Sequence, residues 1–132
     1  MGRKILGIVG GLIVWIGVAT ILNWLMRLGV AGYAEAEKPM TFTLPMLLGR
    51  LVVGALSSVT AGVAYARIAK GVGFAAVALG IVLLAVFLPV HFRLWDRFPA
   101  WYHVLFLASL LPLAVLGARI AAPRASELPV RR

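Results

Sequence analysis

The run ILGIVGGLIVWIGVATILNWLM at residues 5–26 contains no charged side chain. A helix needs about 20 mostly apolar residues to cross roughly 30 Å of bilayer hydrocarbon, and this run supplies them. Three more stretches follow. Residues 44–66 are interrupted only by Arg50, residues 71–90 are free of charge, and residues 99–118 carry one histidine and no formal charge. The spacing leaves almost no chain for a soluble domain. The sequence therefore predicts an all-α membrane protein, a four-transmembrane-helix bundle forming one domain over residues 1–122, followed by a basic tail at 123–132.

Composition leads to the same class. Of the 132 residues 63% are hydrophobic and only 13% are charged, and the mean hydropathy is +1.03. A water-soluble domain of this size cannot hide that much apolar surface. The net charge of +9 raises the question of a nucleic-acid partner. The positive residues, however, sit between apolar spans, where they act as topology signals and contacts for anionic lipid. Nucleic acid is therefore not an expected partner. There is no cysteine, which excludes disulfides, thiol redox chemistry and thiolate metal sites.

The first span has one competitor. Arg3 and Lys4 before an apolar run resemble a signal peptide's n-region, and Ala34-Glu35-Ala36 offers a cleavage-like site. The run is longer than an h-region of about 7 to 15 residues, and that site lies well beyond its end. The first span is expected to stay. Orientation follows from the Lys and Arg distribution. Arg3, Lys4, Arg67, Lys70, Arg119, Arg124, Arg131 and Arg132 share one side; Arg27, Lys38, Arg50, Arg93 and Arg97 share the other. Eight against five predicts that both termini are cytoplasmic.

Helices in lipid associate through close packing of small residues. Gly54, Ser58, Gly62 and Ala66 repeat every four residues in the second span, with Gly7 and Gly11 in the first and Ala76 and Gly80 in the third. Packing within one chain is the simpler expectation. Four short helices bury little, so a homo-oligomer or a partner membrane subunit stays among the expectations. Pro112 lies inside the fourth span and should kink it.

Polar residues within spans are the default functional candidates. Thr20, Asn23 and Arg27 form one stripe on the first span, and Arg50 and Ser57 share a face of the second. His91 follows Pro89, and the connection runs HFRLWDRFPAWYH from His91 to His103. In one reading this is an interfacial belt: Trp95, Trp101 and Tyr102 at headgroup level, Arg93 and Arg97 snorkelling, Asp96 paired with an arginine, Pro99 in the first turn of a helix. In the other, Asn23, Arg50, His91, Asp96 and His103 converge on an outward-opening polar pocket. Arg50 is the pivot, about 9 Å along the axis from a helix start near Leu44. Trp15 lies near mid-span with no evident partner for its indole N–H. The segment from Arg27 to Thr43 reads as a solvated loop, with Thr43 as a helix cap.

Motifs for chemistry are missing. No span contains an acid, Ser57 and Ser58 have no histidine nearby in sequence, and two histidines are too few for a metal site of about three ligands. No catalytic residue, cofactor or metal is expected. The stretch from Pro89 to His103, continuing into LLPLAVLG at 110–117, resembles small uncharacterised four-helix inner-membrane proteins of proteobacteria. That resemblance implies a bacterial inner-membrane location and no particular activity. The expected role is a non-enzymatic accessory or scaffold subunit contacting lipid. The alternative is a small transporter or channel for an anion or lipid headgroup, using Arg50 and the histidines.

Overall fold

The protein is described from a computed structural model over residues 1–122; the basic tail expected at 123–132 lies outside the described residues. Among the described residues five helices follow one another: α1 (Gly2–Gly29), α2 (Tyr33–Glu37), α3 (Leu44–Ala69), α4 (Gly73–Arg93) and α5 (Ala100–Ala121), with a 3-10 turn at Trp95–Arg97. Among the described residues there is no strand. Four of the helices are long and apolar enough to cross a membrane. At 1.5 Å per residue, α4 and α5 are each about 32 Å long and α1 about 42 Å, so α1 has length to spare beyond the hydrocarbon.

The four long helices alternate in direction. Trp15 bonds Ser58, Gly7 faces Tyr65 and Ala69, and Gly49 faces Met26, so α1 and α3 are antiparallel. Gly54 faces Phe106 and Gly62 faces Ala114 and Ala118, so α3 and α5 are parallel. Gly80 faces Leu111 and His91 meets His103, so α4 and α5 are antiparallel. One end of the bundle therefore carries α2 and the α4–α5 turn, hereafter the α2 end. The other carries the tight α3–α4 turn, where Lys70 adopts a left-handed conformation (φ 57°) and Gly71 N–H bonds the Ala66 carbonyl.

The small-residue faces pack within the chain. A Cβ on Gly62 would run into the Ala114 carbonyl, and one on Gly117 would run into the Val59 carbonyl. At that point α3 and α5 touch backbone to backbone, as small residues in membrane helices permit. Gly11 faces Leu79 and the Ala61 carbonyl, and Gly80 faces Leu111. The core beyond them is solid: Ala61, Leu79, Leu83, Leu110, Ala114 and Ala118 are fully buried.

The structure departs from the sequence reading in three places. The segment expected to be a solvated loop is a built element. Gly32 (φ 76°) turns the chain, and Tyr33–Glu37, rich in the helix formers Ala and Glu, makes one turn of helix. Tyr33 and Ala36 bury themselves against Met46, with Met26, Val30 and Phe42 around them. Helix α4 continues through Pro89 to Arg93, so His91 lies inside a helix. Thr43 does occupy the N-cap position of α3, but its side chain makes no capping bond; Pro99 sits at the N-cap of α5.

The α3–α5 contact gives a direct expectation. Gly62→Ala should lower stability by about 1–3 kcal/mol, the usual range for overpacking. Gly17→Ala, where a Cβ meets nothing within 4 Å, should leave it unchanged or raise it slightly. Thermal unfolding in detergent measures both, and equal midpoints for the two variants would count against a backbone-to-backbone contact.

Candidate functional site

Arg50 sits two turns into α3, at the depth expected from a helix start at Leu44. Its guanidinium is held by phenols and a phenyl ring. Nη1 donates to the Tyr33 hydroxyl at 2.8 Å and Nε donates to the Tyr102 hydroxyl at 3.3 Å. The guanidinium carbon lies 4.6 Å from the centre of the Phe42 ring, close enough for a cation–π contact. Among the described residues the one ion pair joins Arg27 and Glu37, so no carboxylate neutralises Arg50 directly. Its Nη2 makes no hydrogen bond there, and Tyr102, accepting from Arg50, keeps its own O–H to donate.

Behind Arg50 runs a connected chain of bonds. The Tyr33 hydroxyl donates to Asn23 Oδ1 at 2.7 Å, and Asn23 Nδ2 donates to Glu37 Oε1 at 3.0 Å. Arg27 Nε donates to Glu37 Oε2 at 2.6 Å and its Nη2 to Oε1 at 2.9 Å, a bidentate pair. Asn23 and Arg27, four residues apart on one face of α1, thus both grip α2. These bonds hold the Glu37 carboxyl below its ordinary value of 4.5, the hydrogen bond from Arg27 first and that from Asn23 after it, against the opposing effect of burial.

His91 and His103 face each other across α4 and α5, Nδ1 to Nδ1 at 2.8 Å, and His103 Nε2 reaches the Trp95 carbonyl at 3.3 Å. His103 is fully buried and His91 nearly so. Aromatic rings surround the pair: Trp95 stacks on His103 at 4.8 Å, and Phe106 lies 4.5 Å from His91. Among the described residues no third metal-ligating side chain joins them.

Between the helices at the α2 end lies a cavity of about 350 Å³, within the range of small-molecule sites. Asn23, Glu37, Arg50, His91 and Tyr102 line its polar part; Trp15, Phe87 and Phe106 line its apolar part. The Trp15 indole N–H, without an evident partner in the sequence, donates to Ser58 Oγ at 3.0 Å, and Ser58 Oγ donates to the Gly54 carbonyl. The ring lies 4.3 Å from Phe87.

Of the five residues singled out from sequence, the structure brings Asn23, Arg50 and His91 to this cavity. His103 stands behind His91 and orients it. Asp96 is exposed on the 3-10 turn, outside the lining and without an ion pair to a described residue. The residues missed were Tyr33, Glu37 and Tyr102. The signal for the first two was Gly32 followed by a run of helix formers with Tyr33 and Glu37 four apart, on one face of a turn. No protein-family model, curated protein or solved structure matches this chain.

The Glu37 clasp has a definite pH dependence. A carboxyl whose folded pKa is lowered contributes stability that is complete above its ordinary range and is lost as pH falls through the lowered value. Hydrogen-exchange protection at Tyr33–Glu37, measured relative to the intrinsic rate at each pH, should therefore hold from pH 7 to 5 and fall only in stronger acid. Glu37→Gln should be weakly protected at every pH, and a variant as protected as the parent would show that the clasp does not hold α2.

Proposed function

We propose that this chain binds an anionic group, a small anion or a lipid headgroup, on Arg50 in the cavity at the α2 end. The observation that supports it is a guanidinium with a free edge and no directly paired carboxylate among the described residues, at a cavity. Hydrogen bonds to a charged group contribute more than neutral ones, and Tyr102 adds a second donor. The reading is binding and not conduction. Beyond Trp15 the bundle is filled by Leu79, Leu83, Leu110 and Ala114, which is no path for an ion. The expectation of an accessory or scaffold subunit rested on the missing chemical motifs and the small-residue faces; those faces pack inside the chain, and the Arg50 cavity is the observation that favours binding.

The location we propose is a bacterial inner membrane, with both termini cytoplasmic and the cavity in the outward half of the bundle. The Lys and Arg distribution supports the orientation. Arg50 lies within the cavity wall, so the flanking cations number eight on the terminal side against Arg27, Lys38, Arg93 and Arg97 on the other. The cytoplasmic cations would meet anionic lipid there.

Two measurements test these readings. Dodecanoate binding to the protein in nanodiscs, at neutral pH with protein-free nanodiscs subtracted, should weaken roughly tenfold or more in Arg50→Gln and stay unchanged in Arg93→Gln. Binding indifferent to Arg50 would end the anion reading. The chain has no cysteine, so single cysteines report sidedness. A membrane-impermeant maleimide applied from outside should label Lys38→Cys and spare Lys70→Cys, and the reverse pattern would invert the topology.

A further inference from the structure

The cavity opens sideways. Ile16 on α1 and Val90 on α4 both line it, yet they are 54% and 44% exposed. The mouth between α1 and α4 therefore lies on the flank of the bundle, the surface that apolar spans present to acyl chains. A free ion has no reason to enter from that side, whereas a lipid-derived molecule is already there. The interior has matching polarity. Asn23 to Trp15 is eight residues of α1, about 12 Å along the axis, and over that distance the lining passes from Glu37, Arg50 and Tyr102 to the cluster of Trp15, Phe87 and Phe106. Trp15 has its N–H bonded to Ser58, so the apolar end demands nothing but apolar contact.

The histidine pair adds a second requirement. The Trp95 carbonyl can only accept, so His103 Nε2 carries a proton. In the neutral imidazole one ring nitrogen donates and the other accepts, so with Nε2 donating the His103 Nδ1 is the acceptor. His91 Nδ1 must then donate across the 2.8 Å contact, which leaves His91 Nε2 as a bare acceptor. That atom has no partner among the described residues. No fully buried side-chain nitrogen or oxygen lacks one there, so Nε2 keeps access to open space, and the space His91 lines is the cavity. Tyr102 accepts from Arg50 and lies beside His91 with ring centres 5.9 Å apart, so Arg50 and His91 flank one phenol in the same cavity wall.

We propose that the cavity takes a single-chain amphiphile with a hydroxyl beside its anionic group. The anion sits on Arg50, the hydroxyl donates to His91 Nε2, and the chain lies against Trp15, Phe87 and Phe106. This rests on the anion reading of Arg50 and adds the class of molecule. The test uses nanodisc-embedded protein at neutral pH with dodecanoate, 3-hydroxydodecanoate, 3-methoxydodecanoate and 3-hydroxybutyrate as probes. 3-Hydroxydodecanoate should bind about three- to tenfold tighter than dodecanoate, the worth of one net hydrogen bond. The methoxy analogue, which cannot donate, should show no gain. 3-Hydroxybutyrate, without a tail, should bind at least roughly tenfold more weakly. His91→Phe should erase the hydroxyl gain while keeping dodecanoate binding, and the methoxy comparison needs no variant at all. Equal affinity for hydroxylated and plain chains, or a methoxy gain equal to the hydroxyl gain, overturns the role of His91. Equal binding of 3-hydroxybutyrate assigns the site to a free anion and overturns the amphiphile. Failure of Arg50 itself appears separately, as dodecanoate binding that ignores Arg50→Gln.

Discussion

The close approach of α3 and α5 at Gly62 and Gly117 is the constraint on which the rest of the bundle depends. Two parallel helices that touch through their backbones at one level cannot stay in contact where their side chains are large. Toward the α2 end the facing pairs grow from Gly62 with Ala114 and Ala118, to Gly54 with Phe106, to Arg50 with Tyr102. The tight end excludes water and fills with leucine and alanine, while the wide end leaves space. The cavity follows from a gradient of side-chain size along one helix pair, with α1 and α4 forming its other walls and the mouth between them.

Space at the wide end would be filled by collapse unless something held Arg50 out of lipid, and α2 is that element. Five residues of helix are too few to be stable alone. Their stability comes from burying Tyr33 in the Met46 cluster and from the Arg27–Glu37 pair, with Asn23 joining the two. The consequence for the site is that the Tyr33 hydroxyl has a fixed position and a fixed polarity. It donates toward Asn23, so its lone pairs face Arg50. The rotamer of Arg50 is thus set by a chain of bonds that begins on a different helix.

The four-helix architecture was legible because lipid imposes length and apolarity on every span, and both can be read residue by residue. Asn23, Arg50 and His91 were legible for the same reason, since a polar group inside an apolar run stands out. Tyr33 and Glu37 were not, because the local pattern after Gly32 suggests a helical turn but does not say which of its faces is buried. Their role depends on Asn23 and Arg27 in another helix. Asp96 was close to the site residues in sequence but not in space: α4 runs through Pro89 to Arg93, and the 3-10 turn then carries Asp96 to the surface. The partner of Trp15 was hidden differently. Ser58 counted as one of a series of small residues, and its hydroxyl became a hydrogen-bond acceptor only once α1 and α3 were in register.

The manner in which Arg50 is held bears on what it is for. If a cation in this position served stability alone, a carboxylate beside it would be the simpler arrangement, and an apolar residue of similar volume simpler still, since buried ion pairs are often no better than well-packed apolar groups. Neither is present. Two phenols and a phenyl ring steady the guanidinium without cancelling its charge, because a neutral hydroxyl accepts one hydrogen bond and a ring face contributes only its quadrupole. Glu37 is near enough to be stabilised by Arg50 at a distance, but its oxygens are taken by Arg27 and Asn23. The positive charge is therefore anchored at a cavity wall with no carboxylate bonded to it among the described residues. A low-dielectric setting strengthens the interaction of such a charge with an anion, which is the basis of the proposed binding.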